Sequence, residues 1–240
     1  MELTDSATDA PTRRNTVAIV LSQLKNKRGV RSLLREARRS TGGKVSMKEM
    51  LTRTPSGLES PTYEVVKSET DSGYEIRKYD DFAVCSTTDF AGPSGFKALA
   101  GYIFGKNKEE TKMAMTTPVF MYSGDDSKRM SFVMPSEYWG DENKLANEAP
   151  TPLEDSGVKK EAKQRETVAA LWFGGVSTSR EVARRKEELL KKLGSDKDFA
   201  VAQGSEPYAA SYNDPFTSPW KRRNEVLVRV TARASSPEQQ

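Results

Sequence analysis

The chain has 240 residues, 35% of them hydrophobic and 30% charged, and no apolar run approaches the roughly 20 residues that a transmembrane helix needs. Its formal net charge is +4, but residues 1–60 carry 12 Lys and Arg against 6 Asp and Glu, so the rest lacks the basic surface of a nucleic-acid-binding domain. The absence of histidine excludes Ser-His-Asp and Cys-His hydrolases and histidine-ligated zinc or haem within this chain, and the single cysteine excludes an internal disulfide.

Residues 1–46 differ in composition from the rest. After a few early acids the segment is basic from Arg13 to Lys44, with Glu36 as the only acid in that stretch. Leucine and valine recur at helical spacing between the lysines and arginines, which is typical of an amphipathic helix. Such a stretch is found in organelle-targeting segments, in helices on a membrane surface and in solvated extensions, and the sequence leaves these three interpretations open.

Five strands and one helix are predicted between residues 62 and 135. Alternating β-forming residues between turns give strands over Tyr63–Lys67, Tyr74–Tyr79, Phe82–Phe90, Lys112–Tyr122 and Met130–Met134. The helix is predicted over Ser94–Phe104, between a capping Ser94 and Gly105. Its apolar residues share one face: Phe96, Leu99, Ala100 and Ile103. Cys85 lies among apolar strand residues, so we expect it to be buried.

The same order recurs between residues 158 and 230. Strands are predicted over 158–163, 168–176, 199–212 and 225–230, the third one broken at Gly204 and Pro207. A helix is predicted over Ser179–Leu193, because Thr178 and Glu181 form a capping-box pattern before it and Gly194 follows it.

Two strand-strand-helix-strand-strand units can close into a barrel, which protects strand edges. We therefore predict an α+β fold, a distorted antiparallel β-barrel built from two such repeats and flanked by two helices. Residues 135–152, rich in Gly, Asn, Glu and Pro, would connect the halves, and residues 233–240 should form a disordered tail.

Methionines concentrate on two of the predicted strands. Met113 and Met115 share one face of the Lys112–Tyr122 strand, and Met130 and Met134 flank Phe132 soon after. A pliable, polarisable methionine surface suits a large flat apolar ligand, but methionine also fills ordinary cores, and the spacing favours the core. Phosphate-binding and calcium-binding loop patterns are absent. The residues alone therefore indicate no catalytic set and no metal site.

Several strings resemble the SOUL haem-binding protein family: YEIRKY, FKALAGYIFGKN, KMAMTTPV, RMSFVMPSEY and YNDPFTSPWKRRNEVLV. They follow the family's order and spacing from about Met47 to about Val230, and they look closest to its plant and algal branch, the haem-binding-like proteins of chloroplasts. The resemblance implies a duplicated barrel over residues 47–232, with repeats at about 62–135 and 158–230. It also implies reversible, non-enzymatic binding of haem or another tetrapyrrole in a shallow apolar groove, here without histidine ligation.

Carried over to this chain, the resemblance implies binding residues on the first predicted helix and on the segment after it. The apolar contacts would be Leu99, Tyr102, Ile103, Met113 and Met115. The partners of the tetrapyrrole carboxylates would be Lys97, Lys106 or Lys112. An alternative role for Leu99, Ile103 and part of the methionine face is that of core beneath the groove.

The resemblance and the basic segment together predict a chloroplast protein, with the cytoplasm as the alternative. The first functional hypothesis is a tetrapyrrole carrier or buffer. The second is an enzyme that acts on a tetrapyrrole, for example in haem breakdown, and the third is a plastid interaction module that binds no tetrapyrrole. No nucleic-acid partner is expected, peripheral membrane association through residues 1–46 is left open, and the number of subunits is not predicted.

Overall fold

The structure, a computed structural model, describes Pro55 and residues 57–69, 73–87, 93–123, 128–214 and 217–233. The predicted segment 1–46 lies outside these residues, as does the predicted tail apart from Arg233. The strands are β1 (Tyr63–Glu69), β2 (Tyr74–Tyr79), β3 (Phe82–Thr87), β4 (Val119–Ser123), β5 (Lys128–Val133), β6 (Val158–Lys163), β7 (Glu166–Phe173), β8 (Phe199–Val201), β9 (Tyr208–Ser211) and β10 (Asn224–Ala232). The helices are α1 (Pro93–Ile103), α2 (Glu142–Glu148) and α3 (Ser179–Gly194).

All these strands join one antiparallel sheet. Its order is β1-β2-β7-β10-β9-β4-β5-β3-β6, and the short β8 pairs with the far end of β10. The sheet curls around an inner face, while α1 and α3 pack against its outer face. The predicted α+β class and distorted antiparallel barrel are confirmed.

The strand pairings repeat in two halves. β3 pairs with β5 as β7 pairs with β10, and β4 pairs with β5 as β9 pairs with β10. The halves are joined where β2 pairs with β7, β3 with β6 and β4 with β9. The predicted duplication is therefore present in the hydrogen-bond ladders, although strands of the two halves interleave in one sheet.

β1 and β6 are the outer strands of the sheet order. The register of β1 against β2 shifts between Val65 and Lys67, and Val65 and Val66 are about half exposed. On β6, Lys159 is exposed and Lys163 is partly exposed. Such a register shift bends a strand and increases its local twist.

Three apolar clusters form the core. The inner cluster fills the curled sheet with aromatic side chains, and Phe120 lies 6.1 Å from Phe82 and 5.8 Å from Tyr208 between ring centroids. The second cluster lies between the sheet and α1, and the third lies between the sheet and α3. Cys85 is fully buried in the second cluster, as the sequence predicts.

α3 begins where the sequence predicts. The Glu181 backbone N–H donates to Thr178 Oγ1 at 3.2 Å, which is half of the predicted capping pattern. Leu189 and Leu193 are buried on its inner face, and the helix ends at Gly194. Among the helices that the structure describes, none combines the length and the apolar character needed to cross a membrane.

The strand predicted over Lys112–Tyr122 is wrong in its first part. β4 begins at Val119, and the preceding residues make isolated bridges through Lys112 and Thr116. Proline has no N–H to donate to a ladder, and the Thr117 hydroxyl next to Pro118 donates to the Tyr212 carbonyl at 2.9 Å. These contacts hold the segment across the sheet rather than in it.

The predicted connector, 135–152, contains the short helix α2. Asp141 caps it by accepting a hydrogen bond from the Lys144 backbone N–H at 2.8 Å. The helix buries Leu145 and exposes most of its other side chains, so its sequence carries little apolar periodicity. That weak pattern is the reason why the sequence did not predict it.

A buried ion network fills one end of the barrel. The Glu225 carboxylate accepts hydrogen bonds from Arg77 Nη1 at 2.8 Å, Arg223 Nη2 at 2.7 Å and the Tyr212 hydroxyl at 2.7 Å. Burial alone would raise the pKa of Glu225, but the charges of Arg77 and Arg223 and the hydrogen bonds outweigh burial and lower it to about 2. Arg77 belongs to the first half and Glu225 to the second, so the network ties the halves together.

Replacing Glu225 should destabilise the fold. Glu225→Gln removes the carboxylate that the two buried guanidinium groups share, although Arg77 keeps its ion pair with Glu75 at 3.0 Å, so the free energy of unfolding should fall by about 3–5 kcal/mol. The wild-type contribution is complete above the usual pKa of 4.5 and is lost as the pH falls towards 2, so the variant should show a weaker acid dependence. Urea denaturation followed by circular dichroism at several pH values measures both effects.

The matched control is Glu188→Gln on α3. The partly exposed Glu188 pairs with Arg185 and Lys192 on the helix surface, where such pairs contribute below about 1 kcal/mol. Equal losses of stability in the two variants would contradict the role given to Glu225.

Candidate functional site

The first helix of the predicted site packs on the outer face of the sheet. α1 contacts β3, β5 and β6. Leu99 and Ile103 are buried in the cluster beneath it, and Tyr102 is buried beside them. The Tyr102 hydroxyl donates to the Pro150 carbonyl at 2.6 Å, which ties α1 to the segment after α2, and burial raises the pKa of this hydroxyl. These three residues therefore fix the position of the helix.

Asn107 organises the turn that follows α1. Its side-chain amide donates to the Tyr102 carbonyl at 3.0 Å and to the Thr111 carbonyl at 2.7 Å. Its oxygen accepts a hydrogen bond from the Thr111 backbone N–H at 2.9 Å. Gly105, just before it, has a φ of 100°, which favours glycine. The string GKN thus has a structural role that sequence reasoning missed.

The turn brings the methionine segment back to the helix. The Met113 backbone N–H donates to the Ile103 carbonyl at 2.8 Å, and the Met113 side chain enters the core beneath α1. Met115, two residues later, is 43% exposed. The two methionines therefore lie in different environments, and the expectation that they share one strand face is wrong.

The five residues predicted as apolar ligand contacts differ in how far they are buried. Leu99, Tyr102, Ile103 and Met113 lie in the core and present almost no surface, while Met115 is accessible. The core role that the sequence left open for part of this set is therefore the one the structure has. A role for the four buried residues as ligand contacts stays a prediction.

Two phenylalanines are exposed on α1 or directly after it. Phe96 is 43% and Phe104 is 55% exposed. Phe96, predicted on the buried face, keeps one edge-to-face contact with Phe132, with ring centroids 5.4 Å apart. The helical pattern of the sequence did not distinguish these two exposed residues from the buried apolar residues of α1.

The three predicted lysines are exposed near these side chains. Within the described part of the chain, Lys97, Lys106 and Lys112 make no ion pair and no side-chain hydrogen bond. The stem of Lys106 crosses Gly101, where an added Cβ would lie 3.1 Å from the lysine Cδ. Lys108, by contrast, pairs with Glu154 at 3.0 Å. The predicted lysines are therefore available to a negatively charged ligand.

We define the α1 surface as these exposed apolar residues and lysines together. It consists of Phe96, Phe104, Met115, Lys97, Lys106 and Lys112. Aromatic rings and a thioether offer dispersion contacts to a flat molecule, and free ammonium groups can pair with its carboxylates. Among the described residues no group of three or more Cys, Asp and Glu side chains could hold a metal ion. Burial raises the pKa of Cys85 to about 12, so its thiol stays protonated.

A cavity lies beside the inner cluster of the curled sheet. Its volume is about 580 Å³. Phe82, Phe120 and Tyr208 form its apolar wall, and its charged residues include Glu166 and Arg229. Burial raises the pKa of Glu166. Sequence reasoning missed this cavity, because its residues come from strands far apart in the chain.

Comparisons with known proteins show which proteins this chain is similar to. A family model described as SOUL heme-binding protein matches residues 58–229. Heme-binding protein 2 of Homo sapiens is 34% identical over 207 residues, covering 76% of this chain and 95% of that protein. Heme-binding protein 1 of Xenopus laevis is 27% identical over 176 residues, covering 68% of this chain and 86% of that protein. A crystal structure of an uncharacterized conserved protein from Listeria innocua superposes with a TM-score of 0.48 at 11% identity. The superposition covers 67% of this chain and 93% of that one.

Proposed function

The chain belongs to the SOUL haem-binding protein family, and from that premise we propose that it binds haem or a related tetrapyrrole reversibly, as a carrier or buffer. The relatives bear the name heme-binding protein, which favours binding over catalysis. The proposed place is the α1 surface. The observation that carries the proposal is the combination, on one helix and the turn after it, of three exposed apolar side chains with three unpaired lysines.

Dispersion and burial can supply enough affinity for a carrier. A porphyrin that covers some 300 Å² of apolar surface gains roughly 7 kcal/mol at about 25 cal/mol per Å², before ordering costs. A dissociation constant of about 1 μM corresponds to about −8 kcal/mol. Lysine contacts with the propionates would add to this gain, from which the ordering costs are then subtracted. Affinity at this level allows release, which a carrier or buffer requires.

Haem iron would be held here without imidazole, because the 240 residues contain no histidine. The exposed Met115 thioether, a lysine amine or water would be the candidate axial ligands. The proposed role needs no iron bond at all, so a metal-free porphyrin should bind with similar affinity.

Changes of exposed apolar residues should weaken binding without unfolding the chain. In Phe96→Glu and Met115→Glu a charge would face the macrocycle, so we expect the affinity for hemin to fall about tenfold or more. The Soret shift during hemin titration of the full chain measures this. Leu190→Glu, on the exposed side of α3, is the control and should bind like the wild type.

The outcome of the same titration also addresses turnover. The proposal would be overturned if the Soret band did not shift when hemin is added to the wild type. It would also be overturned if Leu190→Glu lowered the hemin affinity as much as Phe96→Glu and Met115→Glu do. Bound hemin should stay intact when a reductant is added in air. Decay of the Soret band with a new pigment would instead favour the enzyme hypothesis.

Neutralising the lysines should weaken binding in a way that depends on salt. An exposed charge pair contributes about 0.5 kcal/mol, so Lys97→Gln, Lys106→Gln and Lys112→Gln together should weaken hemin binding about tenfold at low salt. Hemin titrations at 20 mM and 500 mM salt measure the difference, which should shrink at high salt.

The control for charge is a triple variant of lysines away from α1. Lys78→Gln, Lys197→Gln and Lys221→Gln remove the same net charge from other exposed sites. Equal weakening in the two triple variants would show a nonspecific electrostatic effect and contradict the lysine assignment.

The chloroplast is the proposed location, with residues 1–46 as the targeting segment. This rests on the basic amphipathic pattern of that segment and on the resemblance to plant and algal proteins. A fluorescent fusion of the full chain should enter plastids in plant cells, and a fusion that lacks residues 1–46 should stay outside. A cytosolic signal from the full-length fusion would overturn the proposal.

A further inference from the structure

The cavity beside the inner cluster has the size of a ligand site. Glu225 and Arg229 lie on the same inner face of β10, so the cavity begins about four residues along the strand from the buried ion network. Its volume of about 580 Å³ lies within the roughly 300–1,000 Å³ that ligand sites span. Phe82 and Phe120 are buried in its apolar wall, and Tyr208 continues that wall towards Glu166. We call this cavity, with its aromatic wall and its charged residues, the barrel mouth.

The Glu166 carboxylate in the barrel mouth can accept further hydrogen bonds. It is half-buried at the start of β7, and in the described residues it makes no ion pair. Its hydrogen bond from the Tyr208 hydroxyl is long, at 3.5 Å. Buried carboxylates are normally satisfied by short hydrogen bonds or by a counter-charge. Burial accordingly raises the pKa of Glu166.

The barrel mouth also carries cations. Arg129 and Lys163 share the Glu161 carboxylate at 3.2 Å and 3.1 Å. Arg229 is exposed at the same opening, and no hydrogen bond or ion pair of its side chain occurs among the described residues. The charges of Lys163 and Arg229 act on Glu166 against the effect of burial on its pKa, but neither forms an ion pair with it among the described residues. A ligand would therefore meet a carboxylate and a guanidinium that can each accept a closer partner.

We propose that the barrel mouth binds an open-chain tetrapyrrole, whose pyrrole N–H groups donate to Glu166 and whose carboxylates pair with Arg229 and Lys163. The ligand class rests on the proposed function, but the place differs from the α1 surface. The conjugated rings would lie against the aromatic wall of Phe82, Phe120 and Tyr208.

The presence of both signs of charge in the barrel mouth favours an open-chain tetrapyrrole over an aromatic cation or a simple aromatic acid. An aromatic cation would meet Arg129, Lys163 and Arg229, and a simple aromatic acid would meet Glu166. Haem has no free pyrrole N–H, and in a closed metal-free porphyrin the N–H groups point to the ring centre. An opened chain presents both N–H donors and carboxylates at its edges, which matches the charges that line the cavity.

The test uses biliverdin as the probe and the full chain. Biliverdin should bind with visible circular dichroism induced by the protein, and Glu166→Gln should weaken it at least tenfold and reduce that signal. Arg229→Gln should weaken binding about threefold to tenfold. Glu187→Gln and Arg180→Gln, at exposed positions on α3, are the matched controls and should bind like the wild type.

The two proposed sites can fail separately. Hemin binding should be unchanged in Glu166→Gln, and biliverdin binding should be unchanged in Met115→Glu. Biliverdin affinity that is equal in Glu166→Gln and the wild type would overturn the barrel-mouth site and leave the α1 surface standing. Stronger, Glu166-dependent binding of the aromatic cation ethidium would also overturn it, by showing a cation site. Glu166-dependent biliverdin binding in a chain that does not bind hemin would remove the α1 proposal alone.

Discussion

The Glu225 carboxylate, buried between two guanidinium groups, is the interaction on which the barrel depends. A charge in this environment is stable only with its partners in place, so the network fixes β2 and β10 against each other at the point where the two halves of the chain meet. The Tyr212 hydroxyl adds the loop after β9 to the same carboxylate. A cavity begins about four residues farther along β10, at Arg229.

The sequence predicts those parts of the molecule in which local pattern and tertiary packing agree. α3 shows this best, because its cap at Thr178 and its buried Leu189 and Leu193 follow the pattern of its own residues. The duplicated order of strands also follows from local patterns, and the ladders confirm it. Segment 112–118 shows the limit, since alternation predicts a strand there. The proline and the side-chain contacts of Thr117, which decide its path, involve residues far away in the chain.

The candidate sites were harder to predict, for a related physical reason. Resemblance to a family identifies the helix and its lysines, but the choice between Met113 in the core and Met115 at the surface depends on how the turn at Asn107 is held. Phe96 and Phe104 are exposed, and the helical pattern of the chain does not record that exposure because it depends on tertiary packing. The barrel mouth combines Phe82, Glu166 and Arg229 from three distant strands, so no short motif could reveal it.

The register shift in β1 has a consequence for the behaviour of the protein at high concentration. The outer strands of a sheet have one edge without a ladder partner, and such an edge can pair with an extended chain of another molecule. The exposed Val65 and Val66 would strengthen this pairing through apolar contacts. The register shift between Val65 and Lys67 bends β1, so its backbone groups do not form the regular row that pairing with another strand requires. On the other flank, the exposed Lys159 of β6 places a charge at the edge, where the like charges of two copies would repel each other. Each outer strand therefore has a feature that disfavours edge-to-edge pairing.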